Sequence, residues 1–163
     1  MSTLATDPFA NGLSAFANYI RRGNLTIEAA TKATLQRIEQ LDPSLQAFEC
    51  IDTDRALKTA AAFDLLLDSG TDPGPLTGVT VAVKDIIAVD GMPTTHGSNY
   101  KSEHLQYAEG TLIKKLRAAG CIILGKTKTV EFALGPTGIN KARGTPWNPC
   151  CLLYTSPSPR DRG

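Results

Sequence analysis

The sequence predicts an α/β fold, and two observations carry that prediction. Three stretches with apolar residues at helical spacing fill about the first 70 positions, and two short β-branched apolar runs then flank a further helical stretch. Strand, helix, strand is the building unit of a parallel sheet, because parallel neighbours need a long crossover that a helix supplies.

The helices come first. Asp7-Pro8 reads as an N-cap with proline at the first helical position, and Phe9, Leu13, Phe16, Ala17 and Ile20 follow at helical spacing until Gly23. Thr26 can cap a second helix, whose stripe of Ile27, Ala30, Thr34, Leu35, Ile38 and Leu41 should end before Asp42-Pro43. After a short mixed segment, residues 45–51, an alanine- and leucine-rich third helix is expected over residues 54–68, with Arg55, Lys58 and Asp64 on its polar side. Two prolines and a glycine in residues 71–75 then require a loop.

The β-branched run Val79-Thr80-Val81-Ala82-Val83, bounded by Gly78 and by Lys84-Asp85, suits a buried strand with its polar end at the carboxyl side, and residues 86–89 are expected to extend it. A turn is expected at Asp90-Gly91-Met92-Pro93. A helix over residues 110–119 should then point Leu112, Ile113 and Leu116 inward, ahead of a second buried strand at Cys121-Ile122-Ile123-Leu124. A short helix is expected over residues 127–134. Beyond it, Gly135-Pro136-Thr137-Gly138 and Gly144-Thr145-Pro146 deny regular structure and read as an irregular loop of the kind that often carries function.

Composition narrows the function classes. Hydrophobic residues make up 42% of the 163 positions and charged residues 20%, as in ordinary folded domains. Basic and acidic side chains are interspersed, and the densest basic cluster, Lys114, Lys115 and Arg117, lies on the solvated face of a helix, so no nucleic-acid partner is expected. No apolar run is long enough to cross a membrane and no leader pattern opens the chain, so no membrane partner is expected and a cytoplasmic location is. Cys50 and Cys121 sit in apolar patterns and Cys150 and Cys151 are adjacent, which suggests reduced thiols and no disulfide framework. Asn24-Leu25-Thr26 matches a glycosylation sequon that has no route to its modifying enzyme in that location.

Three motifs invite chemistry. Gly120 to Thr127 fits the pattern of glycine, four residues, glycine, lysine, threonine that cradles phosphate in nucleotide-binding loops. That chemistry needs a free-amide loop following a strand and opening a helix, whereas here the four residues are themselves the strand, so nucleotide binding is disfavoured. His96 and His104 have no acid or thiol partners at ligand spacing, so neither a metal nor another cofactor is expected. Lys84 closes an apolar strand, where low dielectric disfavours the charged amine and can turn it into a base. The plainer alternatives are that it reaches to water or pairs with Asp85.

Order supplies context for Lys84. Gly74-Pro75-Leu76-Thr77-Gly78-Val79-Thr80-Val81-Ala82-Val83-Lys84-Asp85 is followed by Gly91-Met92-Pro93-Thr94-Thr95-His96-Gly97-Ser98. Then come Leu116-Arg117-Ala118-Ala119-Gly120, Leu124-Gly125-Lys126-Thr127 and Glu131-Phe132-Ala133-Leu134-Gly135-Pro136-Thr137-Gly138. These blocks resemble, in the same order, those of the amidase-signature family, loosely over residues 10–73 and closely over residues 74–149.

The resemblance implies an α/β fold with a mixed β-sheet flanked by helices, of which this chain holds the incomplete N-terminal portion. Residues 1–149 would be the N-terminal part of a single amidase domain, with a helical start over residues 7–69 and an αβ part over residues 74–149. It further implies hydrolysis of carboxamides or related amides by a Ser, cis-Ser, Lys triad in which Lys84 is the base and Gly135, Pro136, Thr137 and Gly138 line the substrate pocket. An alcohol needs such a base before it can attack a carbonyl, and an acyl-enzyme divides one hard step into two. Neither triad serine lies within the resembling blocks, and Ser98 and Ser102 lack the glycine-serine-rich setting, so the chain itself is expected to be inactive. A small-molecule amide is the implied substrate, and a homodimer or amidotransferase partner subunits are left open for the intact parent.

Residues 150–163 break the pattern abruptly, with two prolines among serines and no helical or strand period. They resemble a terminus produced by translation through vector or adaptor sequence, and a non-native or disordered tail is expected. Without them the formal charge is neutral, so the +1 of the whole chain says nothing about partners. The competing reading is a complete non-enzymatic binding or assembly module.

Overall fold

The computed structural model describes residues 12–100 and 108–149, so the expected cap at Asp7-Pro8, the residues His104 and Ser102, and the tail from Cys150 lie outside it. Within the described residues the chain forms two compact units. One combines the stretch ending at Gln36 with Thr53–Val81 and Thr111–Leu124, and the other combines Arg37–Asp52 and Ala82–Gly110 with the stretch from Gly125 onward.

The element order is α1 (Leu13–Arg21), α2 (Ile27–Leu45), β1 (Phe48–Ile51), α3 (Thr53–Asp68), β2 (Thr80–Lys84), α4 (Thr111–Ala118) and β3 (Ile122–Thr127), with a single 3-10 turn at Glu131–Ala133. The sheet order is β1-β3-β2. β1 runs antiparallel to β3. β2 runs parallel to β3, because Ile122 N–H donates to the Val79 carbonyl and Asp85 N–H to the Thr127 carbonyl, the two strands advancing together. A mixed α/β sheet is therefore the architecture.

In the first unit, α1 begins at Leu13, with Gly12 as its N-cap at a non-helical φ of 83°. It buries Phe16, Ala17 and Ile20. It ends in paired bonds, from Gly23 N–H to the Ile20 carbonyl and from Asn24 N–H to the Tyr19 carbonyl, with Gly23 at φ 71°. The first amides of α2 are capped twice over: Thr26 Oγ1 accepts from Ala29 N–H, and the Asp64 carboxylate of α3 accepts from Ile27 N–H at 2.8 Å and Glu28 N–H at 2.9 Å. α3 turns Ala56 and Ala60 inward, and α4 buries Ile113. Leu112, expected to face inward, is exposed, because it lies about 100° round the helix from Ile113 and the buried face is narrow.

The loop before β2 is held in the same unit. Arg21 pairs with Asp72 at 2.8 Å and donates to the Gly74 carbonyl, while Leu76 N–H donates to the Ala119 carbonyl. A Cβ on Gly74 would strike the Ala119 backbone, so only glycine allows that approach.

Three expectations are corrected here. α2 does not stop before Pro43: the proline removes one ladder bond, but Gln46 N–H reaches the Asp42 carbonyl at 2.7 Å and closes a last turn, which Gln46 then ends at φ 51°. The expected helical start over residues 7–69 contains a strand, β1, too short and too irregular in register to leave a period in sequence. Residues 86–89 do not prolong β2, because Ile86 and Ile87 N–H groups both fold back onto the Lys84 carbonyl and make a turn.

Candidate active site

The site is built in the second unit, from the carboxyl end of β2 outward. Burial alternates at that end: Val83 is buried, Lys84 exposed, Asp85 buried, as the period of two in a strand requires. The Lys84 ammonium makes no hydrogen bond or ion pair among the described residues, and the side chain reaches to solvent rather than into an apolar environment. Its carbonyl accepts from Ile86 N–H at 2.8 Å and Ile87 N–H at 3.0 Å. The main chain at Lys84 is therefore tied down while its amine is free to reach a reacting group.

Asp85, on the opposite face, does not pair with Lys84. Its carboxylate meets Lys126 of β3 at 2.9 Å, and neither side chain has any exposed surface. Lys126 spends its other donors on Thr94 Oγ1 at 2.9 Å and the Pro93 carbonyl at 3.3 Å. Asp85 Oδ2 accepts from Thr95 N–H at 3.1 Å and from the Thr95 hydroxyl, and its backbone carbonyl accepts from His96 N–H. The string that mimics a phosphate loop is thus strand, and its lysine is committed to an ion pair.

From residues 93–98 the network passes to the irregular loop. Asn140 Nδ2 donates to the Gly97 carbonyl at 2.6 Å and the Thr129 carbonyl at 2.8 Å, while its Oδ1 accepts from Ala142 and Arg143 N–H. Gly97, at φ 67°, cannot carry a side chain there, because a Cβ would meet the Thr129 carbonyl. Arg143 reaches Glu49 of β1 and Asn99, and Lys128 Nζ donates to the Arg143 carbonyl. The hydrogen bonds it donates to the Glu49 carboxylate hold the Arg143 guanidinium above its usual range.

The expected helix over residues 127–134 is reduced to one 3-10 turn, in which Phe132 at φ 50° and Ala133 at φ 58° are left-handed. Phe132 N–H donates to the His96 carbonyl at 2.7 Å and its ring stacks on His96. Ser98 is buried and donates to the Glu131 carboxylate at 2.6 Å. Gly135, Pro136 and Thr137 are exposed and Gly138 half-exposed. Lys84 and this loop belong to one unit, linked through Asp85, residues 95–97 and Asn140, but no hydrogen bond among the described residues joins the Lys84 side chain to residues 135–138.

Asp85, Lys126 and Asn140 escaped the sequence reading as members of this network. A signal for the first two existed: a lysine inside an otherwise apolar strand must find a buried acid, and Asp85 closes the neighbouring parallel strand.

With this geometry in place, similarity to known proteins decides the family. The family model described as Amidase matches residues 29–156, most of the chain. The chain belongs to the amidase family. Among its relatives in that family, it is 42% identical over 137 residues to a 2-amino-5-chloromuconic acid deaminase of Comamonas testosteroni, covering 84% of this chain and 30% of that protein. It is 41% identical over 133 residues to a glutamyl-tRNA(Gln) amidotransferase subunit of Acidothermus cellulolyticus, covering 82% of this chain and 26% of that one. A peptide amidase structure from Stenotrophomonas maltophilia superposes with a TM-score of 0.78 at 30% identity, over 89% of this chain and 31% of the amidase. The chain thus spans less than a third of the length of these amidase-family proteins. Among the described residues no helix is long and apolar enough to cross a membrane.

Proposed function

We propose that this chain is the amino-terminal part of an amidase-family hydrolase that cleaves carboxamide C–N bonds, with Lys84 as the base that takes the proton of a serine through a second, cis-peptide serine. One observation carries the reading: in a chain of this family, Lys84 stands exposed at the carboxyl end of β2 on a main chain fastened by the turn behind it. Both serines and the oxyanion donors belong to the longer parent, beyond residue 149. The described residues leave the Lys84 side chain open to water, so whatever encloses it comes from that same part.

Gly135, Pro136, Thr137 and Gly138 line the mouth of the substrate pocket. Their exposure and the left-handed turn before them support a loop shaped for contact rather than for core packing. The substrate is a small carboxamide, the location is the cytoplasm, and amidotransferase partner subunits join the intact parent if its relatives of that kind are the better guide. Residues 1–149 are the N-terminal part of a single amidase domain, and residues 150–163 are not native to it.

The test has two arms. The reading frame of the source DNA beyond residue 149 should encode a glycine- and serine-rich stretch. In the protein it encodes, Lys84→Ala should abolish turnover of a simple carboxamide such as benzamide while the circular dichroism spectrum stays unchanged. The 163-residue chain alone should not turn that amide over. Retained turnover in the Lys84 variant would remove Lys84 from its role.

A further inference from the structure

The geometry points to Asp85 and Lys126 as positioning residues for Lys84: their buried ion pair clamps the turn that aims the Lys84 amine, and this assignment rests on the reading of Lys84 as the base. Every polar atom of Asp85 is engaged. Its N–H donates to Thr127, its carbonyl accepts from His96, Oδ1 accepts from Lys126 and Oδ2 from Thr95. Lys126 has three donors and three acceptors, on Asp85, Thr94 and Pro93. Three separate stretches, the end of β2, residues 93–96 and the end of β3, therefore converge on the residue next to Lys84.

Such a pair is not explained by stability. Two desolvated charges hold a fold no better than well-packed apolar side chains of the same volume, and often less well. What the pair supplies is direction. An apolar contact tolerates rotation and sliding, whereas seven hydrogen bonds of defined geometry on Asp85 and Lys126 do not. Because side chains alternate across a strand, fixing Asp85 inward fixes Lys84 outward, and the two hydrogen bonds donated by Ile86 and Ile87 N–H to the Lys84 carbonyl prevent the strand from relaxing past that point. A base must sit within hydrogen-bond reach of the proton it takes, and a displacement of about 1 Å can cost 10²-fold in rate.

The experiment compares four variants of the full-length enzyme: Lys84→Ala, Asp85→Asn, Lys126→Met and the double variant Asp85→Leu with Lys126→Met, which removes both charges together. Asp85→Asn, Lys126→Met and the double variant should each lower kcat by about 10²-fold with KM changed less than threefold, and the double variant should keep the parent's melting behaviour. Full kcat in a folded double variant, with Lys84→Ala inactive, overturns the positioning role and leaves the base intact. Activity in Lys84→Ala overturns the base itself. Should the variants not fold, hydrogen exchange on the unaltered chain decides. Asp85, Ile86 and Ile87 amides should be among its slowest, and exchange as fast as at residues 108–110 overturns the clamp.

Discussion

The Lys126 ammonium lies 2.9 Å from the Asp85 carboxylate with no exposed surface on either side chain, so the lysine of an apparent phosphate-binding string is locked to the acid beside Lys84. Charges so placed have unequal consequences when one or both are removed. Lys126→Met should destabilise the chain by about 3 to 5 kcal/mol, because Asp85 is left buried without its counter-charge. Asp85→Leu with Lys126→Met should recover most of that loss. Urea denaturation of the three proteins measures the difference, and equal losses in the single and double variants would contradict it.

Asn140 ties two backbone segments together through hydrogen bonds to the buried carbonyls of Gly97 and Thr129. Asn140→Ala should cost about 2 to 6 kcal/mol, since it leaves two buried carbonyls unsatisfied at about 1 to 3 kcal/mol each. Asn140→Asp should be at least as harmful, because a carboxylate offers those carbonyls no donor. The thermal midpoint read against the parent checks both, and a shift under one degree would be the contrary outcome.

Asp64 caps a helix to which it does not belong. Asp64→Ala frees the amides of Ile27 and Glu28 and should cost about 1 kcal/mol, within the usual range for a lost cap. Asp64→Asn should recover part of it, because one side-chain oxygen remains to accept. Amide exchange at residues 27 and 28 should quicken in the alanine variant.

Asp72 makes stability depend on pH. Hydrogen bonds from Arg21, then from Gly74 N–H and the Thr77 hydroxyl, hold its carboxyl well below the usual carboxylate range. A depressed folded pKa gives stability that is complete above the unfolded value, about 3.9 for Asp, and is lost as pH falls through the folded value. Asp72→Asn should therefore lower stability in the neutral range and flatten the decline below about pH 4, so that parent and variant converge in acid. The effect should be small and sensitive to salt, since the Asp72 side chain is half exposed. A parallel acid limb in parent and variant would refute it.

Gly125 lies where β3 passes closest to β1. A Cβ there would run into the Cys50 carbonyl, so Gly125→Ala must spread the two strands and should cost about 1 to 3 kcal/mol. Loss of stability below about 0.5 kcal/mol in chemical denaturation would show that the strands part more easily than their register suggests.

Local pattern was enough for most of the elements. The stripes that become α1, α2 and α3, the β-branched run of β2 and the apolar run of β3 each advertise themselves, because burial on one face imposes a period that can be read without a partner. β1 could not be read, since four residues hold too few periods. Nor could the end of α2, where Pro43 signals a stop that one backbone bond from Gln46 overrides.

Residue order and wording by themselves determined the family, the place of Lys84 at the end of a strand and the irregularity of residues 135–138. Only the tertiary structure decided which acid meets which lysine. Asp85 has Lys84 beside it in the chain, but a strand sends neighbours to opposite faces, and its counter-charge arrives from β3, 41 residues away. The same holds for Asn140 and Gly97, 43 residues apart, and for Asp64 and Ile27, 37 apart. Pairings of this kind have no local period, because they are set by the convergence of segments after the apolar faces have packed.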